Sequence, residues 1–186
     1  MHFPEFLKYS SLLSVPLFTI LGLLLIKDSP SFSLRKYTVS ESILHLKSPL
    51  YISIFRLNFI IKALLDFGFA VYVLNYFQIP YGSIISISLF VSAFLFGTLA
   101  YFTEGKHTTS HRVIVYTSGM LWGLGHILLV RSIGDTPFLV QTTVAIVTPI
   151  VIGFWFLFTR KTNAIVQAIC ISIWYVWLWV FVSQYL

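Results

Sequence analysis

Long apolar runs alternate with short polar stretches along the whole chain. Each run is about 18 to 28 residues long, enough for an α-helix to cross the hydrocarbon core of a bilayer. Asp135, Thr136 and Pro137 place a capping side chain before a proline suited to a first helical turn, so they predict where the fifth run begins. The pattern predicts six spans, at residues 9–26, 50–77, 80–102, 111–133, 137–159 and 162–185.

The composition agrees with a bilayer as the solvent of this protein. Of the 186 residues, 58% are hydrophobic and only 10% are charged, whereas about 25% of the residues in a soluble domain are charged. The connections between the runs are too short to form a separate soluble domain. We therefore expect residues 1–186 to form one all-α integral membrane domain, a bundle of six transmembrane helices. The single cysteine, Cys170, excludes an internal disulfide and a cysteine-rich metal site.

Positive charge is distributed unevenly between the predicted loops. The formal net charge of +6 would suggest nucleic-acid binding in a soluble protein, but in a membrane protein it more often reports topology, so no nucleic-acid partner is expected. Only Lys8 and Arg131 fall at one face. The positive-inside rule therefore places both termini on the non-cytoplasmic side of a cell membrane. The cations assigned to the cytoplasmic face are Lys27, Arg35, Lys36, Lys47, Lys106, Arg112, Arg160 and Lys161.

The connection between the first two spans, residues 27–49, is long and mostly polar. A structureless loop of this length is uncommon in a compact protein, so we expect part of it to form an amphipathic helix on the membrane surface, starting near Ser40 and Glu41. The loop is either a lid over a binding site or a plain connector. Its scattered apolar residues are Val39, Ile43, Leu44 and Leu46.

Asn58, Lys62 and Asp66 place polar and charged side chains inside the apolar second span. They are spaced by four residues and therefore share one helical stripe, which we expect to face protein and not lipid. A charge inside the bilayer costs about 2.5 kcal/mol or more on insertion scales, so the stripe is a candidate site for a substrate or an ion. The alternative is a structural Lys62–Asp66 ion pair that fixes helix packing.

A second group of candidates lies in the loops at the predicted cytoplasmic face. Two histidines and a carboxylate can hold zinc with an open position, as in a hydrolytic metal site. His107 and His111 would be aligned only if the residues between them were helical, and Thr108-Thr109-Ser110 argues against a helix there. No HExxH motif is present, so solvated loop residues are the alternative. No cofactor is predicted; a divalent metal is the one considered, with candidate ligands Glu41, His45, Glu104, His107 and His111.

Ser40 and His126 are assigned to packing. His126 follows Gly119 and Gly123, which form a small-xxx-small face where another helix can approach closely, and its ring could donate a hydrogen bond across that contact. A haem ligand is the alternative for His126. It is disfavoured because no histidine lies inside any other predicted span to provide a second axial ligand.

The motifs in these loops resemble a known family, the domain-of-unknown-function 998 family. The resemblance rests on Tyr37-Thr38-Val39-Ser40-Glu41-Ser42, on Asn58 in the next span, and on a connection that runs from Gly97 through Glu104 to His107 and His111. It implies a small six-span protein in which Ser40, Glu41, Glu104 and one of the two histidines face each other at one membrane surface.

This sequence departs from that family at two points. Its acidic element is Phe102-Thr103-Glu104, where the family tends to have Pro-Thr-Asp. The matching face is usually external in the family, which is opposite to the orientation that the loop charges predict. The family has no established activity to carry over.

Three functions are compatible with these residues. We expect a non-enzymatic membrane protein that binds or translocates a small molecule, lipid or ion at the polar stripe of the second span. A metal-dependent hydrolase or transferase that uses the Glu/His group, loosely similar to seven-span hydrolases of the ceramidase type, is the second hypothesis. The third is an assembly subunit whose polar residues only specify packing. The bilayer is the partner expected in all three, and the oligomeric state stays open.

Overall fold

A computed structural model describes residues 4–27, 29, 31–159 and 163–186. The structure is 80% helical, and the described residues contain no strand. The predicted start of the sixth span at Thr162 and two of the predicted loop cations, Arg160 and Lys161, lie outside the described residues. Short 3-10 helices at Glu5–Tyr9 and Ser40–His45 accompany the α-helices. These are α1 (Ser10–Ile26), α2 (Pro49–Tyr76), α3 (Ile84–Thr98), α4 (Thr108–Ile133), α5 (Thr136–Phe158) and α6 (Ala164–Tyr185).

Among the described residues, five helical segments are long and apolar enough to cross a membrane, which supports the prediction of a membrane protein. They are α1 together with the 3-10 helix before it, α2, α4, α5 and α6. The start of α5 is confirmed, because Phe138 donates its backbone N–H to Asp135 Oδ1 over 2.9 Å and Asp135 thereby caps the helix.

The third helix, α3, is shorter than its predicted span. It has 15 residues, or about 22 Å of helix, against a hydrocarbon core of about 30 Å. A turn precedes it, and Ser83 then caps it by accepting a hydrogen bond from the backbone N–H of Ser86. After Thr98 the chain continues in turns, such as the one closed by the bond from Tyr101 N–H to Thr98 O. A continuous helix therefore does not fill residues 80–102.

Helices that follow each other in the sequence pack side by side, and α6 returns to contact α1. The core has two main parts. One, around Phe69, Leu129 and Phe181, joins α2, α4 and α6. The other, around Phe59 and Leu99, joins α2 to the end of α3 and to the connection before α2. The second part holds the loops that carry the candidate ligands close to the bundle.

Two glycines of α4 allow its neighbours to approach closely. A Cβ atom at Gly123 would lie 2.5 Å from Ile146 Cγ2 in α5, and one at Gly125 would lie 2.7 Å from Leu89 Cδ2 in α3. The close contact predicted at Gly119 is wrong, because no atom lies within 4 Å of the position that its Cβ would take. The small residues that bring the helices together are therefore Gly123 and Gly125.

The described part of the connection between α1 and α2 folds back onto the bundle. Its regular element is the 3-10 helix Ser40–His45, which begins at the residue near which we expected an amphipathic helix to start. Ile43 is buried in this element, whereas Leu44 is exposed and covers Gly105, whose φ of +85° favours glycine. Tyr37 O accepts a hydrogen bond of 2.8 Å from Ala164 N–H at the start of α6. One end of the bundle thus collects the first and third connections, with the cations Lys27, Arg35, Lys36, Lys47, Lys106 and Arg112.

Candidate functional site

The carboxylate of Asp66 in α2 is buried against α1 and accepts hydrogen bonds from both helices. Ser11 Oγ and Ser14 Oγ in α1 donate to Asp66 Oδ1 over 2.8 and 2.7 Å. Lys62, one turn earlier in α2, forms an ion pair with Asp66 Oδ2. We call Ser11, Ser14, Lys62 and Asp66 the α1–α2 polar cluster. Donors from α1 and α2 thus stabilise a carboxylate whose charge would be costly in contact with lipid.

Lys62 is the accessible member of this cluster. Its side chain is 18% exposed, against 6% for Asp66. Its Nζ lies 4.6 Å from the centroid of the Phe96 ring, a distance typical of a cation–π contact. An ammonium carries three N–H donors, and within the described residues Asp66 is its one hydrogen-bond acceptor. Lys62 therefore keeps unused donors.

Asn58 extends the polar stripe toward the N-terminal end of α2. It is buried, and its Nδ2 donates to Phe18 O in α1 over 2.8 Å. With Asn58 and Asp66 both buried, this part of the stripe faces protein. The polar stripe of α2 was predicted from the sequence, but its serine partners in α1 were not. Ser11 and Ser14, three residues apart in the first run, share one helical face and could have been found by that spacing.

Two of the predicted metal ligands are engaged within the first connection. Glu41 Oε2 accepts from the backbone N–H of Thr38 over 2.6 Å, and Thr38 Oγ1 accepts from the N–H of Glu41 over 3.2 Å. This reciprocal pair is a capping box, and its T-x-x-E spacing is readable in the sequence. His45 Nδ1 hydrogen-bonds Ser31 Oγ, and its ring packs on Tyr37. Ser40 begins the 3-10 helix.

Glu104 and His111 are the members of the predicted ligand group that the structure brings together. Both side chains are buried, and His111 Nε2 lies 3.8 Å from Glu104 Oε2. The other oxygen, Oε1, accepts a hydrogen bond of 3.2 Å from Arg112. His111 Nδ1 lies 2.7 Å from Phe102 O. A carbonyl oxygen can only accept, so Nδ1 carries the proton and donates it.

His107 lies one helical turn before His111. We predicted that Thr108-Thr109-Ser110 would not be helical, and this is wrong: α4 begins at Thr108, and His111 N–H donates to His107 O over 2.8 Å. The His107 ring stacks on Tyr101, and its Nε2 is buried without a hydrogen-bond partner among the described residues. His107 is thus the N-cap residue of α4, one turn before His111, which lies inside the helix.

The five predicted ligands do not form one metal centre in this arrangement. Across the described part of the chain, no group of three or more His, Cys, Asp or Glu side chains is placed to hold a metal ion. Glu41 and His45 form hydrogen bonds within the first connection, whereas Glu104 and His111 meet beside the third. The connections themselves touch through Leu44 and Gly105.

His126 is fully buried in α4, inside a shell of aromatic rings. The rings of Trp122, Trp174 and Trp177 have centroids within 5.2 Å of its own. Its Nδ1 donates to Trp122 O over 2.8 Å, which is a hydrogen bond within α4. We predicted instead a hydrogen bond across a contact with another helix. These contacts are those of a packing residue.

No family model matches the chain, and no curated protein or solved structure matches it either. The resemblance to the domain-of-unknown-function 998 family therefore stays a prediction. The structure offers two candidate sites, the α1–α2 polar cluster and the Glu104–His111 pair.

Proposed function

We propose that this protein is a six-span integral membrane protein that binds or translocates a small molecule, lipid or ion at the α1–α2 polar cluster. The observation that supports the proposal is a buried Asp66 carboxylate with donors from two helices, beside a Lys62 ammonium that stays partly exposed. Charges are costly inside a membrane and mark functional sites there by default. In this proposal α3 and its flanking turns form the third of the six spans.

Lys62 determines which chemistry the cluster can bind. The hydroxyl hydrogens of Ser11 and Ser14 are already donated to Asp66. The unused N–H donors of Lys62 favour a molecule that offers a phosphate, carboxylate or carbonyl oxygen. Such an oxygen would compete with Asp66 for the ammonium, so binding would change how Asp66 is paired.

Substitution of both charged residues tests this proposal. Lys62→Met leaves Asp66 buried without a counter-ion and should lower the free energy of unfolding by about 3 kcal/mol. Combining Lys62→Met with Asp66→Leu removes both charges and should recover most of that loss. The wild type, the double variant and an exposed control, Lys36→Met, are purified, and the molecules that remain bound are identified by mass spectrometry.

We expect the double variant to be folded and to lack a bound molecule that the wild type and Lys36→Met retain. The same set of bound molecules in all three proteins would contradict a binding site at the cluster. Thermal unfolding of each protein in detergent verifies that the comparison is made between folded chains.

Packing is the second candidate function of the same residues. Two surface cavities, of about 280 and 410 Å³, lie elsewhere, and neither Lys62 nor Asp66 lines them. If no ligand reaches Asp66, the cluster serves to fix α1 on α2. In that case Lys62→Met lowers stability, while the double variant keeps every molecule that the wild type binds.

A further inference from the structure

The His111 imidazole is held in one orientation with one nitrogen unused. Nδ1 donates to Phe102 O over 2.7 Å, which leaves the lone pair of the neutral ring on Nε2. Nε2 is buried and has no hydrogen-bond partner in the part of the chain that the structure describes. A buried polar atom without a partner carries a desolvation cost. Something other than a described side chain is needed to satisfy it.

The nearest group to this nitrogen is itself an acceptor. Glu104 Oε2 lies 3.8 Å from His111 Nε2, too far for a hydrogen bond, and both side chains are more than nine-tenths buried. A lone pair and a carboxylate oxygen that face each other in a buried position attract a positively charged species between them.

The geometry fits a metal ion in that position. Zinc binds histidine nitrogen and carboxylate oxygen at about 2.0 to 2.2 Å, which places two tetrahedral ligands about 3.3 to 3.6 Å apart. The observed 3.8 Å needs only a small adjustment. A histidine that ligates a metal also commonly donates its other ring N–H to a backbone carbonyl, as His111 does to Phe102.

We propose that Glu104 Oε2 and His111 Nε2 bind a divalent transition-metal ion such as Zn²⁺, with water in the remaining positions. Arg112 holds Oε1 of the same carboxylate over 3.2 Å and is half exposed, so the pair lies one side chain away from solvent. Its guanidinium and the exposed Lys106 lower the affinity of the site for a cation. This proposal is independent of the α1–α2 polar cluster.

Titration of the purified full chain with Zn²⁺ tests the proposal. The affinity tag is removed first, because a polyhistidine tag binds the same ions. Bound zinc is quantified by elemental analysis, and affinity by calorimetry, for the wild type, His111→Asn, Glu104→Gln and the control His45→Asn. His45 is a matched control, since it lies at the same end of the bundle but bonds Ser31.

We expect one zinc per chain in the wild type and in His45→Asn, and an affinity at least tenfold weaker in His111→Asn and Glu104→Gln. Should either variant fail to fold, His111→Cys provides a thiolate ligand in its place and should retain the ion. Absence of stoichiometric zinc in the wild type, or zinc binding that survives both His111→Asn and Glu104→Gln, would overturn the proposal.

Discussion

Asp135 lies just outside the membrane-spanning helices, and its carboxylate links α5 to α6. It follows Gly134, where α4 ends, and its Oδ1 caps α5 through Phe138 N–H. Its Oδ2 accepts a hydrogen bond from Tyr185 Oη at the end of α6. The Tyr185 hydroxyl, and then the Phe138 N–H, lower the pKa of Asp135 below its usual value of 3.8 because both bonds favour the ionised form.

This lowered pKa gives stability a defined pH dependence. The ionised carboxylate stabilises the folded state above pH 3.8, and that contribution is lost as the pH falls below 3.8 through the folded pKa. Asp135→Asn should therefore lower the melting temperature at pH 7 and have a smaller effect at pH 3. The measurement is thermal unfolding in detergent at both pH values. Tyr185→Phe removes the main cause of the pKa shift and should therefore reduce the difference in stability between pH 7 and pH 3. An effect of Asp135→Asn on the melting temperature that is the same at both pH values would contradict the prediction.

The local part of each site could be predicted from the sequence, and the tertiary part could not. A spacing of four residues is enough to pair Lys62 with Asp66, and Thr38 with Glu41 three residues later is a readable capping box. The contact between Glu104 and His111 depends instead on the turn that joins α3 to α4, where Gly105 takes a positive φ. No periodic pattern specifies that geometry.

At the scale of the element, α4 shows how glycine placement determines helix neighbours. Gly123 and Gly125 are two residues apart, about 200° around the helix, and therefore face opposite sides. One side admits Ile146 of α5 and the other Leu89 of α3. The sequence indicated small residues in this helix. Which of its glycines lie against a neighbouring helix depends on where α3 and α5 pack, and the sequence does not specify that packing.

Alanine at Gly125 and alanine at Gly119 should have opposite effects on stability. Gly125→Ala places a methyl group 2.7 Å from fully buried Leu89, and overpacking of this kind costs about 1 to 3 kcal/mol. Gly119→Ala meets no atom within 4 Å and should stabilise the helix by up to about 1 kcal/mol. Chemical unfolding of both variants in detergent provides the comparison, and a loss of stability in Gly119→Ala would disprove the assignment of its open surface.

At the scale of the whole molecule, the described loop cations are concentrated at one end of the bundle. The described loop cations Lys27 to Lys47, Lys106 and Arg112 gather at one end, because Leu44 covers Gly105 and Tyr37 bonds the start of α6. The structure thus unites at one end loops that the sequence assigned to one face by charge alone. The positive-inside rule predicts that this end lies on the cytoplasmic side of the membrane.

Cysteine labelling decides the orientation, because the chain has a single native cysteine to remove. In a Cys170→Ser background, Gly82→Cys adds an exposed thiol in the α2–α3 turn with open space around its Cβ, and Lys106→Cys adds one at the cationic end. The loop charges predict that a membrane-impermeant maleimide labels Gly82→Cys on intact cells and Lys106→Cys only after permeabilisation. The reverse result would place the cationic end outside, as the resemblance to the domain-of-unknown-function 998 family implies, and would expose Glu104 and His111 to external metal ions.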